Sequence, residues 1–157
     1  MLKEGSVAPP FALKDKDGNV VKLKEILSDY IVLYFYPKDN TSGCTIEAKE
    51  FSDKLSQFKL LKTKVIGISG GDEKSKQKFC ESHGLTVTLL SDPDFTICNK
   101  YGVYGEKNFL GKTFMGIKRT TFVLDQKHKI IKIFPNVTAQ GHAGKVLELI
   151  TQKGKEI

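Results

Sequence analysis

The chain has 157 residues, 39% hydrophobic and 27% charged, which is typical of a globular protein and predicts a single domain over residues 1–157. Its net charge is +7, but 24 of its 25 basic residues are lysines and Arg119 is the only arginine. Dispersed lysines form a solvated surface, whereas nucleic-acid recognition favours arginine, so we expect no nucleic-acid partner. Because the sequence has neither a long apolar run nor an apolar secretory leader, we expect no membrane association and a cytoplasmic location.

The first third of the chain predicts a hairpin, a buried strand and a helix. Residues 11–14 and 20–23 flank a glycine-containing turn and predict an N-terminal β-hairpin. Residues 30–36 are a continuous apolar run, as in a strand that is covered on both faces. A helix is expected next, because apolar side chains recur there on one helical face: Cys44, Ala48, Phe51, Leu55 and Phe58. We therefore expect the Cys44 thiol to point into a pocket.

The rest of the chain predicts alternating strands and helices. Apolar runs predict strands at residues 65–69, 86–90, 120–124 and 130–134. Helical spacing and end signals predict helices at residues 72–83 and 94–101 and around Ala143, Val146, Leu147 and Ile150. Segment 102–116, which contains several glycines, is expected to be a loop. This order of elements predicts an α/β fold with a mixed central sheet flanked by helices.

Cys44 lies at the junction between the strand at 30–36 and the following helix. Free backbone N–H groups and the helix dipole favour a negative charge at such a junction, and the thiolate is the nucleophilic form of cysteine. Buried cysteine is also common as an inert apolar residue. The position of Cys44 alone is therefore compatible with a nucleophile or with a structural thiol.

The residues around Cys44 resemble an established active-site motif. Pro37, Thr41 and Cys44 have the P-x3-T-x2-C spacing of peroxiredoxins. The longer pattern P-K-D-x-T-x-G-C-T-x-E over residues 37–47 is similar to that of the bacterioferritin-comigratory (Q-type) branch. This resemblance implies a thioredoxin-like fold with the peroxiredoxin elaboration. It also implies a thiol peroxidase that reduces hydrogen peroxide and organic hydroperoxides and uses no cofactor.

The resemblance assigns roles to individual residues. Pro37 would limit water access, while Thr41 would offer its hydroxyl and N–H groups to the peroxide, together with backbone N–H groups at Gly43 and Cys44. Arg119 would stabilise the thiolate and the transition state, since a guanidinium stays charged and presents several donors in one plane. Taken alone, Arg119 could be a surface ion-pair residue and Thr41 a helix cap.

A glutamate and a second cysteine complete the expected site. Glu47 matches a family glutamate that helps to hold the arginine. Once Cys44 is a sulfenic acid, a second thiol can condense with it to a disulfide. Many Q-type relatives carry that thiol five residues later, where this chain has Lys49. The resemblance instead implies Cys80, on the helix predicted at 72–83. Cys98 and a one-cysteine cycle resolved by an external thiol are the alternatives.

Two alternative functions would require different sequence features. A disulfide reductase normally carries C-x-x-C, and no cysteine stands three residues after Cys44. A noncatalytic lysine-rich binding protein would not require the motif at all. A metal site is not expected, because the three histidines are scattered. The expected partners are a peroxide and thioredoxin or a similar thiol reductant, and the expected assembly is a monomer or weak dimer.

Overall fold

The computed structural model describes residues 2–155. The strands in this range are β1 (Ala12–Asp15), β2 (Val20–Lys22), β3 (Tyr30–Phe35), β4 (Thr63–Ser69), β5 (Thr88–Ser91), β6 (Tyr104–Phe109), β7 (Lys112–Ile117), β8 (Thr120–Asp125) and β9 (Ile130–Phe134). The helices are α1 (Ser42–Asp53), α2 (Leu55–Leu60), α3 (Glu73–His83), α4 (Thr96–Lys100) and α5 (His142–Lys155), with a short 3-10 helix at Leu23–Glu25. None of the helices described is long and apolar enough to cross a membrane.

Seven of the strands form one mixed sheet in the order β2-β1-β5-β4-β3-β8-β9. β3, β4 and β5 are parallel to one another, and the remaining pairs are antiparallel. This arrangement confirms the predicted α/β class, the mixed sheet and the N-terminal hairpin. At the end of β3, Phe35 pairs with Ile68 on one side and with Thr120 on the other. The register therefore brings Arg119, just before β8, beside the loop that follows β3.

The core has two halves, one on each face of the sheet. Successive side chains of a strand point to opposite faces, and β3 divides accordingly. Val32 and Tyr34 belong to one buried cluster, whereas Leu33 and Phe35 belong to the other. Helices α1, α2, α3 and α5 contribute to the first cluster, and α4 with the N-terminal segment contributes to the second.

The segment at 102–116 is not the loop that its glycines suggested. It contains β6 and β7, which pair as a separate two-stranded antiparallel sheet. Leu110 and Gly111 connect them with φ values of 52° and 78°, which is the backbone of a two-residue type I′ turn. Most residues of this hairpin are exposed, so no buried face imposes an alternating apolar pattern on the sequence.

The helix predicted after Cys44 is also interrupted. α1 ends at Asp53 and α2 begins at Leu55, with Lys54 between them at φ −103° and ψ 4°. Phe51 and Phe58 are nevertheless both fully buried. The spacing of apolar residues could not reveal the break, because Phe51 on α1 and Phe58 on α2 are buried in the same apolar cluster.

Two glycine-to-alanine changes should shift stability in opposite directions. A Cβ on Gly67 would lie 2.6 Å from the Tyr34 ring and 2.7 Å from Leu89, with no space for either to move in a packed core. Gly144 lies inside α5, and its nearest neighbour there would be 3.8 Å away. We expect Gly67→Ala to lower the free energy of unfolding by about 1–3 kcal/mol and Gly144→Ala to raise it by up to about 1 kcal/mol. Urea titrations of both variants test this, and a destabilised Gly144→Ala would contradict it.

Candidate active site

Cys44 lies in the first turn of α1, which begins at Ser42. Its side chain is only 1% exposed and packs in the apolar cluster that contains Tyr34 and Tyr36, so the thiol is turned away from open solvent. N–H groups of a first helical turn lack intrahelical acceptors. Thr41 occupies the N-cap position, but its side chain makes no capping bond. The helix start is therefore open to a negatively charged group at the sulfur.

A single guanidinium joins the thiol to a buried carboxylate. Arg119 Nη2 lies 3.5 Å from Cys44 Sγ, and Arg119 Nη1 donates to Glu47 Oε1 at 2.6 Å. Glu47 is three residues after Cys44 on α1, so both side chains share one helix face. The planar guanidinium can engage both groups at once, which a lysine ammonium could not do with the same geometry.

Gly43 allows the arginine to approach the helix start. A Cβ at this position would lie 3.1 Å from Arg119 Nη2, tighter than an ordinary contact. Because the other nitrogen of the guanidinium is held by Glu47, the side chain has little freedom to move aside. Gly43 is therefore a space requirement of the site as well as a source of a backbone N–H.

Thr41 and Pro37 shape the loop before the helix. The Thr41 hydroxyl donates to the Lys38 carbonyl at 3.0 Å, and the Thr41 carbonyl accepts from the Thr45 hydroxyl at 2.7 Å. The Thr41 side chain is exposed and thus accessible to a small substrate. Pro37 is half-buried, and it follows Tyr36, whose N–H makes the last bond to β4, at Ile68. Proline has no N–H and a fixed φ, so it ends this pairing and turns the chain.

The carboxylate and the guanidinium respond differently to burial. Burial raises the pKa of Glu47 to about 7, although the charge and the hydrogen bond of Arg119 lower it. Glu47 Oε2 is buried and has no hydrogen-bond partner among the residues described. For Arg119, burial lowers the pKa, but Glu47 and Cys44 outweigh it and the net pKa is raised. The guanidinium is therefore charged at every physiological pH.

Comparison with known proteins identifies the group to which these features belong. The AhpC/TSA family matches residues 5–133. The chain belongs to this family. It is 38% identical to peroxiredoxin Bcp of Escherichia coli, over 96% of this chain and 97% of that protein.

Solved structures agree with the sequence comparison. A crystal structure of a Xylella fastidiosa PrxQ mutant superposes with a TM-score of 0.92 at 32% identity, covering 98% of both chains. The Xanthomonas campestris bacterioferritin comigratory protein, whose structures concern alkyl peroxide reduction, gives 0.85 at 33% identity over 91% of both chains. The chain is thus a peroxiredoxin of the Bcp/PrxQ branch, with the thioredoxin-like fold that was expected.

The other two cysteines of this peroxiredoxin lie on opposite faces of the sheet. Cys80, on α3, is buried in the same apolar cluster as Cys44. Cys98, on α4, is buried in the other cluster, and its N–H donates to Asp92 Oδ2 at 2.8 Å. Burial raises the pKa of both thiols, and Asp92 raises that of Cys98 further. The sheet therefore separates Cys98 from Cys44.

Sequence reasoning missed Lys107, which the hairpin β6–β7 brings to the site. Its ammonium donates to the Ile117 carbonyl at 2.9 Å. Burial and the charge of Arg119 lower its pKa, while Cys44 raises it. Nothing in a sequence with 24 lysines singles out this one. As for metals, no cluster of three His, Cys, Asp or Glu side chains is present within residues 2–155.

Arg119→Lys should behave as a severe substitution. It keeps a positive charge but loses the fork that contacts Cys44 and Glu47 together. Since loss of one oriented donor typically costs about 10²–10³ in rate, we expect a decrease of that size in the rate constant for hydrogen peroxide. Lys118→Arg, at the exposed neighbouring position, is the control and should react as the wild type does. Wild-type kinetics for Arg119→Lys would show that the arginine is merely structural.

Glu47 and His142 should give opposite pH dependences of stability. Burial, with the charges of Lys145 and Arg119, lowers the pKa of His142 to about 4. Its stabilising contribution therefore grows as pH rises from about 4 to 6.5, whereas that of Glu47 is lost as pH rises from 4.5 to about 7. The two effects offset one another in the wild type.

Glu47→Gln should remove the pH dependence of stability that comes from Glu47 and leave the one that comes from His142. We expect its free energy of unfolding, relative to wild type, to increase by about 2 kcal/mol from pH 4.5 to 6.5. His142→Gln should change by a similar amount in the opposite direction. Urea unfolding at several pH values measures both. Parallel pH profiles for all three proteins would contradict the assignment.

Proposed function

We propose that this peroxiredoxin reduces hydrogen peroxide and organic hydroperoxides through the thiolate of Cys44. The sulfur attacks one peroxide oxygen, the O–O bond breaks, and Cys44 becomes a sulfenic acid. The departing oxygen takes up a proton and leaves as water or an alcohol. The alkyl peroxide activity described for the Xanthomonas campestris protein supports the inclusion of organic hydroperoxides.

The contact of Arg119 with both Cys44 and Glu47 carries this proposal. The positive charge of the guanidinium lies 3.5 Å from the sulfur that attacks the peroxide. As the O–O bond lengthens, negative charge moves to the departing oxygen. A donor that is already held in place then stabilises this charge without a reorganisation cost. Glu47 holds the guanidinium from the side away from the sulfur.

The surrounding residues supply the remaining requirements of the reaction. The N–H groups of Gly43 and Cys44 can donate to the peroxide oxygens, and the Thr41 hydroxyl oxygen, whose proton lies on the Lys38 carbonyl, can accept the peroxide proton. Because the Thr41 hydroxyl bonds to the Lys38 carbonyl and not to the helix, it does not compete with the substrate for the helix N–H groups. Pro37 fixes the direction of the loop and limits the access of water to Cys44.

We further propose that Cys80 resolves the sulfenic acid as an intramolecular disulfide. Its location in the same apolar cluster as Cys44 supports this choice over Cys98, which packs beyond the sheet. A thioredoxin-like dithiol would then reduce the disulfide by exchange. Every protein group in the peroxide step is a side chain or backbone group of this chain, so this step needs no cofactor. We expect the protein to act as a single-domain monomer or weak dimer.

Cysteine variants test both steps of this cycle. Cys44→Ser should abolish the consumption of hydrogen peroxide in the presence of thioredoxin and its reductase. Cys80→Ser should still form a sulfenic acid but no intramolecular disulfide, and Cys98→Ser is the matched control that should retain both. Peptide mapping after one equivalent of peroxide identifies the bridge. Turnover by Cys44→Ser would refute the nucleophile, and a Cys44–Cys98 bridge would refute the resolving thiol.

A further inference from the structure

A buried ion pair fastens the loop before Cys44 to the helix that carries Cys80. Lys76 Nζ lies 2.9 Å from Asp39 Oδ2, and the two side chains are 0% and 5% exposed. The ammonium also donates to Ser69 Oγ at 3.2 Å and to the Gly70 carbonyl. Its three protons therefore have three acceptors, the condition under which a charge is tolerated in a protein interior.

The carboxylate of Asp39 is equally well satisfied. Oδ1 accepts from the Tyr36 hydroxyl at 2.6 Å, and Oδ2 accepts from the Ser75 hydroxyl at 2.5 Å as well as from Lys76. Tyr36 directly follows β3, while Ser75 and Lys76 lie in the first turn of α3. We call the four residues Tyr36, Asp39, Ser75 and Lys76 the clasp. It joins the active-site loop to α3 and takes no part in the peroxide chemistry described above.

A second and weaker contact ties the other end of α3 to the same loop. His83 Nε2 lies 2.9 Å from Asn40 Oδ1 in an exposed position. Lys76, Cys80 and His83 are four and three residues apart, so they share one face of the helix. Cys80 thus lies between a buried attachment and an exposed one.

We propose that the clasp positions Cys80 for disulfide formation. It stays closed while the part of α3 after Lys76 unwinds and carries the thiol to Cys44. This inference rests on the resolving role proposed above for Cys80. A disulfide requires Cα atoms within about 7 Å, so backbone rearrangement is expected. Local unfolding begins where structure is least costly to lose, which is the largely exposed last turn of α3 around His83 and not the buried ion pair.

The closed clasp also shortens the loop that the disulfide must close. Cys44 is 36 residues from Cys80 along the chain. Through the clasp, only the five residues from Asp39 to Cys44 and the four from Lys76 to Cys80 separate the thiols. Without the clasp, the last fixed point is the bond that ends the β3–β4 pairing, eight residues before Cys44 and twelve before Cys80. Closure probability falls as roughly the 3/2 power of loop length, so the shortening from twenty residues to nine favours the encounter by about threefold. The Cys80 thiol gives up its proton and attacks the Cys44 sulfur, the S–S bond forms, the S–O bond breaks, and the departing hydroxide takes up a proton and leaves as water.

Rapid-quench measurements with hydrogen peroxide separate the two steps. Samples are alkylated at each time point, and mass spectrometry counts sulfenic acid, disulfide and sulfinic acid. Lys76→Met keeps the length of the side chain without its charge, and Asp39→Asn keeps the shape of the carboxylate. In both we expect sulfenic acid to form at the wild-type rate, the disulfide to form about threefold more slowly, and sulfinic acid to increase at a given peroxide concentration.

Two further variants make the test independent of folding defects. Asp39→Asn leaves the Lys76 charge without its counter-ion, so the double variant D39N/K76M, which removes both charges, should show the same slow disulfide step with a native circular-dichroism spectrum. His83→Ala removes the contact with Asn40 and a ring contact with Phe79, both at the C-terminal end of α3, and should form the disulfide at least as fast as wild type. Equal slowing in His83→Ala would mean that any loosening of α3 has this effect, and the proposal would fail.

The outcomes also separate this inference from the function on which it rests. If wild type forms no Cys44–Cys80 bridge, the resolving role of Cys80 is wrong and the clasp proposal falls with it. If wild type forms the bridge and the clasp variants form it at the same rate or faster, only the clasp proposal is overturned. Slower disulfide formation with unchanged sulfenic acid formation supports it, because a general structural defect would slow both.

Discussion

The placement of one guanidinium between a buried carboxylate and a buried thiol is the constraint on which the site depends. Arg119 reaches Cys44 because β8 begins beside the end of β3, Gly43 leaves room for the guanidinium and Glu47 faces the same way as Cys44. Three features thus position the Arg119 side chain: the sheet register, the helix periodicity and the absence of a Cβ at Gly43. Burying these charges is costly, and it is tolerated because each one faces an opposite charge or a donor.

The same logic applies to the Asp39–Lys76 pair, at the other side of the active-site loop. The Arg119–Glu47 pair holds the thiol at the start of α1, and the Asp39–Lys76 pair ties the preceding loop to α3, while residues 40–42 between them are exposed. A nucleophile needs a fixed geometry for attack, yet a disulfide needs that geometry to be given up afterwards. One ion pair for the attack and another for the later rearrangement are compatible with both needs.

Much of this could be predicted from the sequence, and the remainder could not for physical reasons. Continuous apolar runs and helical spacing located the buried strands and most helices, because burial leaves a periodic pattern. The motif around Cys44 located the expected site, since its members are close in the chain. The hairpin β6–β7 escaped prediction because it is largely exposed, and its turn uses Leu110 at a positive φ where asparagine or glycine would have been informative. Lys107 and Lys76 were indistinguishable from the other lysines until the fold placed one beside Arg119 and buried the other.

The division of the core by the sheet has a further consequence for repeated turnover. In the proposed cycle, the half that contains Cys44 and Cys80 loosens each time the disulfide forms and breaks, whereas the half that contains Cys98 takes no part. That second half includes alternate residues of the same central strands, so it can keep β3, β4 and β8 aligned throughout. The sheet therefore separates the two halves of the core. One half is free to rearrange, while the other keeps the strands aligned, so that the first half can pack against them again.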